Sequence, residues 1–315
     1  MEECSQAMHR VRYWDAEIKP EDYSYVDAAL ADGYSIFTYD RLGTGKSDKP
    51  NAYDIVQTSV QVEILRELTL LARSGKLVTS SKKLGGSNDF SRYKPAKVVH
   101  VGHSFGSVAT ASLLMANGTL SDGAILTGFL YNSKLGLNTG VGSWGFEYAP
   151  ENDPTRFNDR SSGYIVQATK SNVQLQFLKK GTFEPALLDY AEKIKQPATV
   201  SEFLSLGAVI NPSPATGFKG PLQVGKSSRQ SFSQTEFQWA DDDWVLQFFI
   251  GEFDYGFCAG DCKGTYNITY LEGLYPASPS VAVQLQPKTG HGLALSTNAT
   301  AGYGVMFDFL HSFDL

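Results

Sequence analysis

Gly102-His103-Ser104-Phe105-Gly106 is the stretch of this chain whose residue types and spacing could do chemistry. It reads G-x-S-x-G. An apolar, β-rich run, Val98 to Val101, leads straight into it, and an Ala/Ser/Leu-rich stretch with helical character, Phe105 to Ala116, leads out. A serine on so sharp a strand-to-helix turn is held with its Oγ clear of the backbone. Strand and helix crowd each other two positions to either side, which asks for Gly102 and Gly106. The helix start adds unpaired N–H groups and the positive end of a dipole, so the Phe105 N–H is expected to receive a developing oxyanion. This is the chemistry of acyl transfer through a serine nucleophile, Ser104.

Such a serine needs a base, and the base needs an orienting acid. The chain has five histidines: His9, His100, His103, His291 and His311. His103 belongs to the turn itself. His100 alternates within the strand and reads as a core histidine, and His9 and His311 lie near the termini. His291 follows the apolar run Val281 to Leu285 and the turn Gln286-Pro287-Lys288-Thr289-Gly290, and is therefore expected as the base. The acid is expected between serine and histidine in chain order. Asp254 stands just past the apolar run Phe248 to Ile250 and 37 residues before His291. Glu252 is its near competitor, although a carboxylate so close to the strand more often caps a turn. Asp261 and the run Asp241-Asp242-Asp243 are weaker, since an acidic run is usually a solvated face.

Positioning these groups requires strands and helices in alternation. Tyr34 to Tyr39, Val98 to Val101, Ala124 to Leu130, Phe248 to Ile250 and Val281 to Leu285 read as strands. Tyr23 to Ala31, Ile55 to Ser74, Phe105 to Ala116 and Tyr303 to Phe313 read as helices, with Gly33 and Gly75 as stops. This order predicts an α/β fold, a mostly parallel sheet with helices on both faces. Between about Tyr131 and Gly220 the alternation lapses into polar loops and weak helical segments such as Pro185 to Ile194. Residues 131–215 are therefore expected to form an inserted cap, and residues 13–130 and 216–315 the core. Residues 224–247 read as a polar surface insertion, because removing them joins Gln223 to Phe248 as one strand.

Bulk properties narrow the classes. The 315 residues carry 27 basic and 33 acidic side chains, a net charge of −6, and no concentrated basic stripe, which argues against nucleic acid as partner. The mixed stretch Lys76 to Lys97 reads as a solvated loop. No run is apolar and long enough to span a membrane. Met1 to Arg12 has no apolar core of a secretory signal, so the chain as given reads as cytoplasmic. Sequons at Asn117, Asn267 and Asn298 lean weakly toward a secreted ancestry. Cys4, Cys258 and Cys262 are too few for a disulfide scaffold, and the C-x3-C pair lacks the partners of a zinc site. A local disulfide and two free thiols both remain open.

Several of these stretches carry a family resemblance. Tyr13-Trp14-Asp15, the turn Asp40-Arg41-Leu42-Gly43-Thr44-Gly45-Lys46-Ser47, the serine turn, Gly251-Glu252-Phe253-Asp254-Tyr255-Gly256-Phe257-Cys258 and Pro287-Lys288-Thr289-Gly290-His291-Gly292 resemble the α/β-hydrolase superfamily. More narrowly, they resemble fungal alpha/beta-hydrolase proteins of unassigned substrate. The resemblance implies an α/β-hydrolase fold and a triad of Ser104, Asp254 and His291 acting on a small-molecule carboxylic ester. No metal or organic cofactor is implied, and a lactone or thioester is also open. A fungal secondary metabolite is the substrate class the resemblance suggests. It also implies an earlier strand ending in His-Gly, whose loop gives the second oxyanion donor. The sequence shows none, and Met8 to Arg12 stands there instead. The fold is therefore expected to be N-terminally truncated, and a weak or inactive paralogue that binds a ligand is the alternative.

Overall fold

In a computed structural model of the chain, the residues described are 2–5, 11–77, 93–131, 142–209, 214–220, 222–223, 247–278 and 281–315. Ten strands are formed among them. They are β1 (Glu2–Ser5), β2 (Ile36–Thr38), β3 (Val99–His103), β4 (Gly123–Thr127), β5 (Phe146–Tyr148), β6 (Tyr164–Gln167), β7 (Ala198–Thr199), β8 (Leu222–Gln223), β9 (Gln247–Gly251) and β10 (Ala282–Gln286). The helices that matter below are α1 (Tyr25–Ala31), α2 (Thr58–Arg73), α3 (Phe105–Asn117), α4 (Lys170–Phe177), α5 (Pro185–Ile194), α6 (Val200–Val209), α7 (Tyr255–Cys258), α8 (Ile268–Leu274) and α9 (Ala299–His311).

The main sheet runs β10-β9-β4-β3-β1-β2, with β8 also paired to β4, and every pairing in it is parallel. A parallel sheet must be covered on both faces, so its strands are continuously apolar. β3 and β4 are buried at all five positions. Side-chain alternation then splits the core in two. Val99, Val101, Ile125 and Phe249 pack on one side with Tyr25, Ala29, Tyr303 and Met306 of α1 and α9. Ala124, Leu126, Phe248 and Val283 pack on the other side with Val108, Ala111 and Leu114 of α3 and with Leu271 and Leu274 of α8. Leu65 of α2 packs behind α3 on Ala109 and Leu113.

The segment between β4 and β8 makes its own layer. β5, β6 and β7 form a small antiparallel sheet. α5 has a strongly one-sided apolar face, burying Leu187, Tyr190, Ala191 and Ile194.

Two features of the sheet bear on the sequence expectations. β1 is a strand, although Glu2 and Glu3 give it no apolar signature, and it lies between β3 and β2 in the sheet. A strand therefore does lie beside β3 there, reading Glu-Glu-Cys-Ser without a His-Gly pair, and β2 is the edge strand. The other feature is the path of β8 and β9 along β4. Ala124 and Ile125 pair with Leu222 and Gln223, and Leu126 and Thr127 pair with Phe248 and Phe249. Gln223 and Phe248 thus occupy adjacent rungs of one ladder. Residues 224–246 lie outside the described residues, as do residues 78–92 of the stretch Lys76 to Lys97.

Candidate active site

The serine turn is built by steric exclusion. Ser104 has φ 54° and ψ −113°, a left-handed conformation costing on the order of 1–3 kcal/mol for a residue with a side chain. It is held there because its N–H donates to Thr127 O at 2.8 Å across the sheet, while its carbonyl accepts from Val108 N at 3.1 Å in α3. Gly102 cannot be larger: a Cβ there would stand 2.6 Å from Ser107 N and 2.7 Å from Gly106 C and O. Phe105 is the first residue of α3, and among the described residues its N–H has no acceptor. Ser104 Oγ is likewise without a hydrogen bond among them, so no Ser104–His291 hydrogen bond is made in this structure. Apo active sites are often loose in this way.

His291 and Asp254 meet at the C-terminal ends of β10 and β9. His291 Nδ1 lies 2.6 Å from Asp254 Oδ2, with the two side chains 1 % and 0 % exposed. The carboxylate is fixed from its other side, since Oδ1 accepts from Phe257 N at 3.0 Å and so caps α7. Asp254 O accepts from Cys258 N and Gly260 N. Cys258 and Cys262 are disulfide-bonded, which closes this short loop directly behind Asp254. Glu252 is engaged elsewhere. It accepts from Lys288 N at 2.8 Å and pairs with Lys263 Nζ at 2.5 Å, and the Lys263 ammonium chiefly holds its carboxyl below the usual range.

The histidine loop is clamped from three directions. β9 approaches it so closely that a Cβ on Gly251 would fall 1.9 Å from Gly290 O. The segment between β4 and β8 reaches it through Phe177 O, which accepts from Gly292 N at 2.6 Å. Asn298 ties down the turn before it: Nδ2 donates to Pro287 O at 2.7 Å, and Oδ1 accepts from Thr289 Oγ1 at 2.8 Å and Gln286 Nε2 at 2.9 Å. One of the three sequon asparagines is thus a structural clamp for the His291 loop, which the local sequence gave no way to read.

Aromatic groups close the site around the imidazole. The rings of His103, Phe177 and Phe257 lie 4.8, 5.5 and 5.7 Å from that of His291. His103 is buried between His291 and Tyr13, which stacks on it at 4.6 Å, and its Nδ1 lies 2.9 Å from Thr127 Oγ1. Burial drives the Tyr13 phenol far above its ordinary pKa, so it stays neutral. His100 bonds Thr69 and Ser121 inside the core, far from solvent. His311, half exposed, pairs with Asp32. His9, Arg10 and Asp241 to Asp243 lie outside the described residues, as do all of residues 6–10, which follow β1. A cleft of about 220 Å³ opens beside His291, lined in part by Phe177, Leu178, Phe253 and Tyr255. Among the described residues, no helix is long and apolar enough to cross a membrane, and no cluster of three or more His, Cys, Asp or Glu residues could hold a metal ion.

A serine on a strained turn between a parallel strand and a helix, with a buried His–Asp pair at the ends of two later strands, narrows the ancestry. The profile of the alpha/beta hydrolase family matches residues 7–300. The chain belongs to the alpha/beta hydrolase family. No curated protein sequence matches it. Solved structures of similar fold include a methylesterase from Arabidopsis, with a TM-score of 0.55 and 15 % identity over 99 % of this chain and 98 % of that one. A carboxylesterase structure from the thaumarchaeon Nitrososphaera gargenis superposes with a TM-score of 0.58 at 11 % identity, covering 100 % and 91 %. Tomato methylketone synthase I with 2-tridecanone gives 0.60 at 12 %, covering 99 % and 98 %. At such identities these likenesses speak to the fold alone. β1, the Asn298 clamp and a buried ion pair between Arg41 and Glu202 lie outside the expectations from sequence, while the Cys258–Cys262 disulfide is one of the two alternatives they left open. Only Cys258, Cys262 and Arg41 carried a local signal, in the C-x3-C spacing and the Asp40–Ser47 turn.

Proposed function

We propose that this hydrolase is a serine esterase that cleaves a small-molecule carboxylic ester through an acyl-enzyme. The observation that carries the reading is the buried Asp254–His291 pair, set at the same sheet edge as the strained Ser104 turn. In this mechanism Ser104 Oγ attacks the carbonyl carbon while His291 Nε2 takes its proton. Asp254 keeps the other imidazole proton on Nδ1 and balances the imidazolium. The Phe105 N–H receives the oxyanion. Collapse expels the alcohol, protonated by His291, and a water activated by the same imidazole frees the acid. Lactones and thioesters enter the same sequence. That fold neighbours are named as a methylesterase and a carboxylesterase supports ester chemistry.

A second reading, ligand binding with little or no turnover, is favoured by one observation: Ser104 Oγ makes no hydrogen bond among the described residues. Labelling with a fluorophosphonate separates the two, because only an activated serine reacts. Wild-type protein should label and hydrolyse p-nitrophenyl acetate, and Ser104→Ala should do neither while melting as wild type does. Labelling that persists in Ser104→Ala would assign the reaction to another serine.

A further inference from the structure

The Asp40–Ser47 turn follows β2, and its Arg41 does not face solvent. Its side chain and that of Glu202 on α6 are 3 % and 4 % exposed, with Nη1 to Oε1 at 2.5 Å. The guanidinium carbon stands 4.4 Å from the centroid of the Phe105 ring. Glu202 is held from several sides. Gln61 Nε2 of α2 donates to the same Oε1 at 2.9 Å, and Thr199 N donates to Oε2 at 2.9 Å. The Glu202 carbonyl accepts from Thr58 Oγ1 at 2.8 Å. The inserted segment is thereby locked onto the core, and the lock ends on the residue that follows Ser104.

A buried ion pair is poor evidence of stability, because apolar residues of similar volume often serve as well. What this pair supplies that apolar packing does not is orientation. A guanidinium is a rigid plane that stacks on an aromatic face, and an ammonium cannot reproduce that plane. Glu202 neutralises the charge, so its field at the serine is small and its effect is geometric. The Phe105 ring and the Phe105 N–H belong to one residue at the first position of α3, and the peptide that carries the N–H is otherwise held only through its Ser104 carbonyl, which accepts from Val108 N at 3.1 Å. Holding the ring under the guanidinium limits how far the Phe105 Cα, and with it the N–H, can shift.

We propose that Arg41 is a positioning residue for the Phe105 oxyanion donor, held in place by Glu202 from the inserted segment. Seating of that segment is then a condition for a competent oxyanion site, not only a cover over it. The proposal rests on the esterase reading above.

The test compares Arg41→Lys and Glu202→Gln with wild type. Arg41→Lys keeps the charge and loses the plane; Glu202→Gln keeps the acceptor for Gln61 or Thr199 and loses the charge. Loss of a whole oxyanion donor costs about 10² to 10³ in kcat, so a misaligned one should cost about tenfold or more. The expected result is that fall in kcat on p-nitrophenyl acetate, KM within about twofold, and fluorophosphonate labelling per folded molecule slowed by the same factor. Amide hydrogen exchange at Phe105 should quicken in both variants. Wild-type kcat and wild-type exchange at Phe105 in both would overturn the proposal, as would a loss of activity that only tracks the folded fraction. If wild type itself neither labels nor hydrolyses ester, the esterase reading fails and this proposal falls with it. If wild type labels and both variants label equally fast, the positioning role alone is wrong.

Discussion

Asp254→Asn tests the proposed triad at its most constrained point. Asp254 accepts from two different donors, His291 Nδ1 at 2.6 Å on Oδ2 and Phe257 N at 3.0 Å on Oδ1. An amide offers one acceptor and one donor, so one of these contacts must become wrong. If the amide oxygen stays on Phe257, the NH2 meets Nδ1 and the imidazole moves its proton to Nε2. That tautomer cannot take a proton from Ser104. If the amide flips, the tautomer is kept, but NH2 then opposes the Phe257 N–H in a fully buried site. A buried unsatisfied donor costs about 1–3 kcal/mol, roughly one to two decades of rate. In either orientation the buried imidazolium formed during reaction loses its counter-charge. Together these should lower kcat by a factor on the order of 10⁴, the loss seen when a serine triad gives up its orienting carboxylate. The assay is kcat on p-nitrophenyl acetate with Tm measured alongside, which should hold because the side-chain volume is unchanged. Glu252→Gln is the control: Glu252 is occupied by Lys288 N and Lys263, so its loss should leave kcat within about threefold. An Asp254→Asn enzyme within tenfold of wild type, or a larger loss in Glu252→Gln, would refute the assignment of the acid.

Three further outcomes are expected. Gly102→Ala places a Cβ against the backbone of Gly106 and Ser107, which cannot rotate away; overpacking of about 1–3 kcal/mol should lower Tm by roughly 2–4 °C per kcal/mol, and an unchanged Tm would show that the turn has room. Deleting residues 224–247 should preserve or raise Tm, since Gln223 and Phe248 already sit on adjacent rungs beside β4 and a longer connection changes closure entropy little; a clear drop would show that the segment packs into the core. Replacing both Cys258 and Cys262 by Ala should cost about 2 kcal/mol, the chain-entropy value for so short a loop, and should lower kcat more than it changes KM because the loop carries Asp254; equal Tm and kcat in the double variant would make the bridge incidental.

Much of the frame was legible because its signals are local. The G-x-S-x-G turn between an apolar run and an Ala/Ser/Leu-rich helix stands at Ser104 as read, since sterics within five residues decide it. The expected strands and helices of the main sheet are present with ends shifted by a few residues, because an apolar run can be satisfied only inside a two-sided layer. The break between Gln223 and Phe248 reads in the sequence as an interrupted strand, and in the fold these two residues stand on adjacent rungs beside β4.

What the tertiary structure alone decided involves partners far apart in the chain. The sequence ranked Asp254 above Glu252 by distance from a strand end; in the fold Asp254 lies on His291, 37 residues away, and Glu252 lies on Lys288 and Lys263. β1 has no apolar signature, and only its place between β3 and β2 makes it a strand. Asn298 reads as a sequon but holds the turn before His291, and Arg41 reads as one residue of a family-like turn but pairs with Glu202, 161 residues on. The physical reason is common to all four. A hydrogen-bonding or charged side chain takes its meaning from whichever group burial places beside it, and that neighbour is set by how the layers stack, not by the residues on either side.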